Sequence, residues 1–121
     1  MLFVLRVLFF LLVWSAVFYG LFSSQPAMPD MQGSDKLLHL LAFAGMAFSA
    51  RLVFVRVAPW LFWPVMLALA VALEFLQPLV QPSRHFSEWD IVANGTGVAC
   101  ALLACRLLQH FFARQWRAIA G

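Results

Sequence analysis

Residues 58–77 read APWLFWPVMLALAVALEFLQ, an apolar run with a single ionisable side chain, Glu74. A helix needs about 20 apolar residues to cross roughly 30 Å of hydrocarbon, so this run has the length of one membrane crossing. It ends at the polar residue Gln77 and is followed by a proline. The run therefore predicts a transmembrane helix, and other parts of the chain are similarly apolar.

Three further apolar runs of similar length lie at residues 2–22, 37–55 and 91–108. The composition agrees, because 64% of the 121 residues are hydrophobic and only 11% are charged, too few for the surface of a water-soluble domain. The 13 phenylalanines exclude disorder. The first run exceeds the apolar core of a signal peptide, so we interpret it as an uncleaved anchor. We predict an all-α fold in one domain, residues 1–121, built as a four-helix transmembrane antiparallel bundle with helices at about 2–22, 37–55, 58–77 and 91–108.

The cations fall unequally on the two ends of this bundle. One end receives six arginines (Arg6, Arg51, Arg56, Arg106, Arg114 and Arg117), and the other receives only Lys36 and Arg84. Loops rich in Lys and Arg stay in the cytoplasm, so both termini should lie inside (N-in/C-in), with the connections 23–34 and 78–89 outside. The net charge of +3 is small and implies no nucleic-acid partner.

The chain ends in a basic, amphipathic stretch. Arg106, His110, Arg114 and Arg117 follow at spacings of four, four and three, which places them on one helical face. We predict a short cytoplasmic amphipathic C-terminal extension. Two interpretations stay open: an interfacial helix that binds anionic lipid headgroups, and a simple positive anchor of the topology.

Polar residues concentrate near the outer end of three helices. The second helix begins with Asp35, Lys36 and His39, the third ends with Glu74 and Gln77, and the fourth begins with Asp90 and Asn94. At roughly 1.5 Å per residue they lie within about 6 Å of that end, and their spacings keep them on one face of each helix. A charge exposed to hydrocarbon costs about 2.5 to 3.5 kcal/mol. We therefore expect five of these residues to meet around one cavity open to the outer leaflet: Asp35, His39, Glu74, Asp90 and Asn94.

Small residues indicate where the helices approach closely. Ala93, Gly97, Ala101 and Cys105 recur every four residues in the fourth run, and Ala42, Gly45 and Ser49 form a similar series in the second. Such series let helix backbones pack closely in membranes. We therefore expect helices two, three and four to form a tight core that the first helix covers from one side.

Three motifs carry a resemblance to a known family. They are Asp35-Lys36-x-x-His39-x-x-x-Phe43, Glu74-x-x-Gln77, and Arg84-x-Phe86-x-x-x-Asp90-x-x-x-Asn94-x-x-Gly97. In this order and spacing they resemble the VanZ-like family of small bacterial membrane proteins, over roughly residues 35–105. The resemblance implies a multi-pass protein of the bacterial cytoplasmic (inner) membrane and a part in susceptibility to glycopeptide antibiotics of the teicoplanin type. Phe43 departs from the family pattern, where Tyr is frequent.

The residues and the resemblance together define a candidate site. Asp35, His39, Glu74 and Asp90 are candidate catalytic acid-base groups, Lys36 and Arg84 are candidates to bind a lipid phosphate, and Gln77 and Asn94 are candidates to orient them. The expected partner is a phospholipid or a polyprenyl phosphate. The acids and the histidine could also bind a divalent cation, although no sequence motif requires one.

Three alternatives stay open for this polar layer. It binds or processes a lipid headgroup, and whether the protein is an enzyme stays undecided. Otherwise it only fixes helix packing, in a protein that acts through a partner or as a homo-oligomer. Proton-linked transport with Glu74 as the carrier ranks last, because four helices without an internal repeat make a poor solitary transporter.

Overall fold

A computed structural model describes residues 1–23 and 34–120. These residues form the helices α1 (Leu2–Phe22), α2 (Ser34–Val53), α3 (Pro59–Val80), α4 (Glu88–Phe111) and α5 (Ala113–Ala120), with no strand among them. Helices α1 to α4 are long and apolar enough to cross a membrane. The all-α prediction is confirmed, and the chain has the helices of a multi-pass membrane protein. Most of the expected outer connection, residues 23–34, lies outside the described residues.

The structure gives α1 the bounds expected from the sequence and places α2 two to three residues earlier than residues 37–55. It extends α3 beyond residue 77 and α4 beyond both ends of residues 91–108. Helix α3 runs through Pro78 to Val80, because a proline near the last turn removes only one backbone hydrogen bond. Helix α4 begins three residues before the predicted Ile91, at Glu88. The side chain of Ser87 accepts a hydrogen bond from the backbone N–H of Asp90, which caps this helix start.

Helices α2 and α4 make the closest contact of the bundle. A Cβ added at Gly97 would collide with the carbonyl oxygen of Leu40 and lie 2.9 Å from the backbone nitrogen of Ala44. The other small residues of this α4 series, Ala93, Ala101 and Cys105, are buried as well. The series therefore brings the two backbones together, as predicted.

The small residues of α2 do not all serve the same contact. A Cβ at Gly45 would meet Val13 of α1 at 3.4 Å, so the prediction that Gly45 helps α2 approach the core helices was wrong. The buried surface of α2 combines the large side chains of Phe43 and Met46 with the small ones of Ala47, Ser49 and Ala50. Helix α2 packs against both α1 and α4, and spacing alone does not tell which neighbour a residue faces.

Helix α1 lies on one side of the core. It packs mainly on α2, and Leu21 is its only buried residue. Two side chains of α1 donate hydrogen bonds to α2 carbonyls: Arg6 to Leu52 at 2.9 Å and Trp14 to Met46 at 3.1 Å. Helix α1 therefore lies on one side of α2, as expected. Helices α2 and α3 make little contact with each other, so the predicted tight core of helices two, three and four is wrong for this pair.

Arg51 closes the connection between α2 and α3. Its side chain is only 4% exposed and donates to the carbonyl oxygens of Phe54 (3.2 Å) and Val57 (2.7 Å). The guanidinium carbon lies 5.1 Å from the centre of the Phe62 ring, within the range of a cation–π interaction. The sequence marked Arg51 only as one of the cations that set the topology.

The C-terminal extension is helical but interrupted. Phe112 leaves the helical conformation, which places Arg106 and His110 on α4 and Arg114 and Arg117 on α5. These four residues therefore do not share one continuous helical face, contrary to the prediction. Trp116 of α5 packs against the core, which holds the extension close to the bundle.

Candidate functional site

At one end of the bundle, the starts of α2 and α4 and the connection after α3 bring five ionisable side chains together. This ionic cluster consists of Asp35, Lys36, His39, Arg84 and Asp90. The Lys36 ammonium pairs with Oδ1 of Asp90 and lies 3.8 Å from Oδ2 of Asp35. Arg84 lies 3.6 Å from Oδ1 of Asp35. Each carboxylate therefore has a cationic partner, in line with the cost of leaving a charge unpaired in an apolar environment.

His39 lies at the centre of the cluster and is 5% exposed. Its Nε2 atom is 3.9 Å from Oδ1 of Asp35 and 3.8 Å from Oδ2 of Asp90. On the other side of the ring, Nδ1 lies 2.9 Å from Oδ1 of Asn94, whose amide nitrogen donates to the carbonyl of Ala70 at 3.3 Å. Asn94 thus contacts the group that it was predicted to orient.

Among the described residues Glu74 forms no ion pair with the ionic cluster, although it is close enough to interact electrostatically with Asp90 and His39. It is 2% exposed, and its Oε1 atom accepts a hydrogen bond from the backbone N–H of Ser87 at 3.3 Å. Its Oε2 atom has no hydrogen-bond partner in the described part of the chain. Because Ser87 caps α4, Glu74 ties the end of α3 to the start of α4. This contact gives Glu74 a structural role that its position inside an apolar run did not indicate.

Gln77 also joins two helices. It is buried, and its side-chain amide donates to the carbonyl oxygen of Leu21 at 3.1 Å. Leu21 belongs to the last turn of α1, so Gln77 positions that helix. Among the described residues, no charged side chain forms a hydrogen bond with Gln77, which differs from the predicted role of orienting the charges.

A cavity of about 290 Å³ lies between α1, α2 and α3, beside the ionic cluster. Its polar lining consists of Asp35, His39, Gln77 and Arg84, and its apolar lining of Ala16, Val17, Gly20, Leu21, Leu38 and Ala42. A Cβ at Gly20 would meet no atom within 4 Å, so open space lies beside this residue. The part played by α1 was missed, although Ala16 and Gly20, four residues apart, gave a signal for it.

The cavity gathers only part of the predicted site. Asp35 and His39 line it. Asp90 and Asn94 contact His39 without lining the cavity, and Glu74 contacts the backbone of Ser87. The expectation that all five surround one cavity was therefore wrong for three of them. Of the two expected phosphate-binding residues, Arg84 lines the cavity and Lys36 does not.

One group of described side chains lies close enough together to hold a metal ion. Asp35, His39 and Asp90 offer ligand atoms that lie within 4.8 Å of one another. Carboxylate oxygens and imidazole nitrogens are the usual ligands of divalent cations such as Mn²⁺ and Zn²⁺.

Comparison of the chain with protein-family models, with curated proteins and with solved structures finds no match. The resemblance to the VanZ-like family therefore depends on the motif residues alone. What the structure defines is a class: a helical protein with four helices suited to crossing a membrane and with a charged cluster beside a cavity.

Proposed function

We propose that the protein is a VanZ-like protein of the bacterial cytoplasmic membrane, an antiparallel bundle with both termini in the cytoplasm. The excess of arginine at one end supports this orientation. The contact of Arg6, at the start of α1, with Leu52, at the end of α2, supports the antiparallel order. A reporter active only outside the cytoplasm should be silent at the C-terminus and active near Ser83. An active C-terminal fusion would contradict this topology.

We propose further that the cavity binds a phosphate-bearing lipid, either a phospholipid or a polyprenyl phosphate. The observation that carries this proposal is the division of the cavity lining into a polar end at Arg84 and His39 and an apolar wall along α1 and α2. A lipid has the same division, because its charged headgroup continues into an apolar chain. The influence on glycopeptide susceptibility that the family resemblance implies belongs to this proposal.

Arg84 is the residue best placed to bind the phosphate. Its side chain is 37% exposed, and its contact with Asp35 at 3.6 Å is longer than a good hydrogen bond, so its donors can turn to a ligand. Lys36 pairs with Asp90 and would have to exchange that partner to bind phosphate. We therefore assign Lys36 the second place. We propose binding or presentation of the lipid, with no chemical step.

The competing function is purely structural, and one observation favours it. Both carboxylates of the ionic cluster already have cationic partners within 4 Å, as in a network that only fixes helix packing. A structural network needs no cavity beside it, and its charges should be replaceable as a unit at little cost in stability.

Native mass spectrometry of the full chain separates these two functions. We expect wild-type protein to retain a phosphate-bearing lipid, and we expect Arg84→Gln and Gly20→Leu to reduce the retained fraction at least tenfold. Gly20→Leu fills the apolar part of the cavity. The matched control is Gly95→Leu on α4, where an added Cβ also meets no atom within 4 Å and which does not line the cavity.

Equal lipid retention by wild type, Arg84→Gln and Gly20→Leu would contradict the lipid proposal. Equal loss in Gly20→Leu and Gly95→Leu would also contradict it, because the effect would then not come from the cavity.

A further inference from the structure

We infer that Asp35, His39 and Asp90 bind a divalent transition-metal cation through one carboxylate oxygen each from the two aspartates and the Nε2 atom of His39. The cation would give the ionic cluster the positive charge that an anionic headgroup needs. This role of the cation in binding a headgroup rests on the proposed function, whereas the metal site itself rests on side-chain geometry alone.

The hydrogen bonds of Asn94 indicate that Nδ1 of the His39 ring acts as a donor. The Asn94 amide nitrogen donates to the carbonyl of Ala70, so the oxygen of the same amide faces His39. An amide oxygen only accepts, which means that Nδ1 of His39 carries a proton and donates it. In a neutral ring Nε2 then has a free lone pair. Metal-binding histidines typically have this arrangement, in which one ring nitrogen donates to a carbonyl or carboxylate and the other binds the ion.

The Nε2 atom of His39 faces two carboxylates. It lies 3.9 Å from an oxygen of Asp35 and 3.8 Å from an oxygen of Asp90, beyond hydrogen-bond distance of either. His39 is 5% exposed, so bulk water does not solvate this face. A cation placed between the three atoms would be attracted by both carboxylates and would bind the lone pair of Nε2.

The three atoms need to move together to bind one metal ion. Ligand atoms about 2.1 Å from a tetrahedral ion lie roughly 3.4 Å apart, so the contacts with Nε2 need to shorten by about half an ångström, and the two carboxylate oxygens, which lie within 4.8 Å of each other, by up to about 1.4 Å. Asp35 has room for this movement, because its side chain is 46% exposed. It also lines the cavity, which provides a path for the ion.

The two carboxylates divide their oxygens in the same way. Asp90 turns Oδ2 to His39 and Oδ1 to Lys36, and Asp35 turns Oδ1 to His39 and Oδ2 to Lys36. Oδ2 of Asp90 is therefore available to the ion, whereas Oδ1 of Asp35 also lies 3.6 Å from Arg84, which would turn away as the ion binds. The other oxygen of each carboxylate stays near the ammonium of Lys36. Lys36 would hold both ligands in place as the ion binds.

Charge balance links this ion to the proposed lipid. With neutral His39, the two carboxylates of the cluster are matched by Lys36 and Arg84, which leaves no surplus positive charge for a phosphate. A divalent cation adds that surplus beside Arg84. Phosphate oxygens are suitable ligands for the open coordination positions of the cation, since the three side chains supply only three ligand atoms.

Binding of Mn²⁺ alone tests the metal site. Full-length protein in detergent is stripped with EDTA and titrated with Mn²⁺, and the free ion is followed by its electron paramagnetic resonance signal. We expect about one Mn²⁺ per chain, displaced by Zn²⁺, and at least tenfold weaker binding in Asp35→Asn. This half-exposed residue can be changed without disturbing the core. The control is His85→Leu, an exposed histidine of the nearby connection, which should bind as wild type does.

Asn94 supplies a second comparison. Asn94→Leu removes the acceptor for Nδ1–H, and loss of such a partner typically weakens metal binding 10- to 100-fold. Asn94→Asp keeps an acceptor and should bind within about threefold of wild type. Both variants lose the hydrogen bond to Ala70, so a difference between them reports on the ring of His39 and not on packing.

The outcomes separate the two halves of the inference. No Mn²⁺ binding by wild type, or equal binding by wild type and Asp35→Asn, would overturn the metal site. Lipid retention that persists in EDTA would overturn the link between metal and lipid and leave the proposed function intact. Mn²⁺ binding by a protein that retains no lipid would support the metal site and overturn the proposed function.

Discussion

The two ends of the bundle hold their charged side chains in different ways. At one end, Arg6 and Arg51 donate to backbone carbonyls of neighbouring segments at 2.7 to 3.2 Å. At the other end, the side chains of the ionic cluster pair mainly with one another, and most of these contacts are 3.6 to 3.9 Å long. One end has short contacts to fixed partners, and the other has long contacts beside a cavity.

This difference indicates which charges are structural. A backbone carbonyl at a helix end has no other partner, so an arginine that donates to it stabilises the connection. Side chains that pair with one another can exchange partners when a ligand enters. We therefore expect substitutions at the arginine end to lower stability and substitutions in the ionic cluster to lower ligand binding.

The largest effect should follow from a change that disrupts both ends. Gly97→Val places side-chain atoms against the backbone of α2 at Leu40 and Ala44, where even a Cβ has no room. Because neither backbone can move without separating α2 from α4, we expect no folded protein in size-exclusion chromatography. Gly95→Val is the control, since a Cβ there meets nothing within 4 Å. Folded Gly97→Val protein would contradict the close packing of α2 and α4.

Arg51→Met should give the next largest effect, on stability alone. It removes the donor that the carbonyls of Phe54 and Val57 share. Phe54 keeps the hydrogen bond from the backbone N–H of Val57, so we expect the loss at the Val57 carbonyl to cost about 1 to 3 kcal/mol. We expect a lower free energy of unfolding and, in the folded fraction, unchanged binding of Mn²⁺ and lipid. The exposed Arg114→Met is the control. If Arg51→Met is as stable as wild type, or if the folded variant loses Mn²⁺ binding, the proposed difference between the two ends is wrong.

Substitutions of Glu74 test a charge that belongs neither to the arginine end nor to the ionic cluster. Glu74→Gln keeps an acceptor for the Ser87 N–H and should change stability by less than about 1 kcal/mol, whereas Glu74→Leu removes it and should cost about 1 to 3 kcal/mol. Both should bind Mn²⁺ as wild type does. Thermal unfolding and the Mn²⁺ titration measure these effects. Loss of Mn²⁺ binding in Glu74→Gln would place Glu74 in the ligand site after all.

The depth of the polar residues could be predicted from the sequence, but their partners could not. The rise per residue of a helix is fixed, so Asp35, His39 and Asn94 had to lie near one level. The rotation of each helix depends on packing, which is why Glu74 turned to Ser87 and Gln77 to Leu21. The sequence also does not indicate which backbone carbonyls accept hydrogen bonds from side chains. For this reason the partners of Arg51 were missed.

The smallest effect on stability should come from Asp35→Asn. Its side chain is about half exposed, and ion pairs of exposed groups contribute about 0 to 1 kcal/mol. We expect a thermal unfolding midpoint within a few degrees of wild type, although Mn²⁺ binding falls. A strong loss of stability would show that Asp35 is structural, like the arginines.

The most direct test of a ligand site in the ionic cluster removes its centre as a unit. The variant carries Lys36→Met, His39→Leu and Asp90→Leu, so that no charge of this group is left stranded, and removal of such a group is often neutral or stabilising by about 1 to 4 kcal/mol. Native mass spectrometry then measures the lipid retained by the folded variant. We predict that the variant unfolds at or above the wild-type temperature and retains at least tenfold less phosphate-bearing lipid. A folded variant that retains lipid as wild type does would contradict the account and identify the cluster as a packing element.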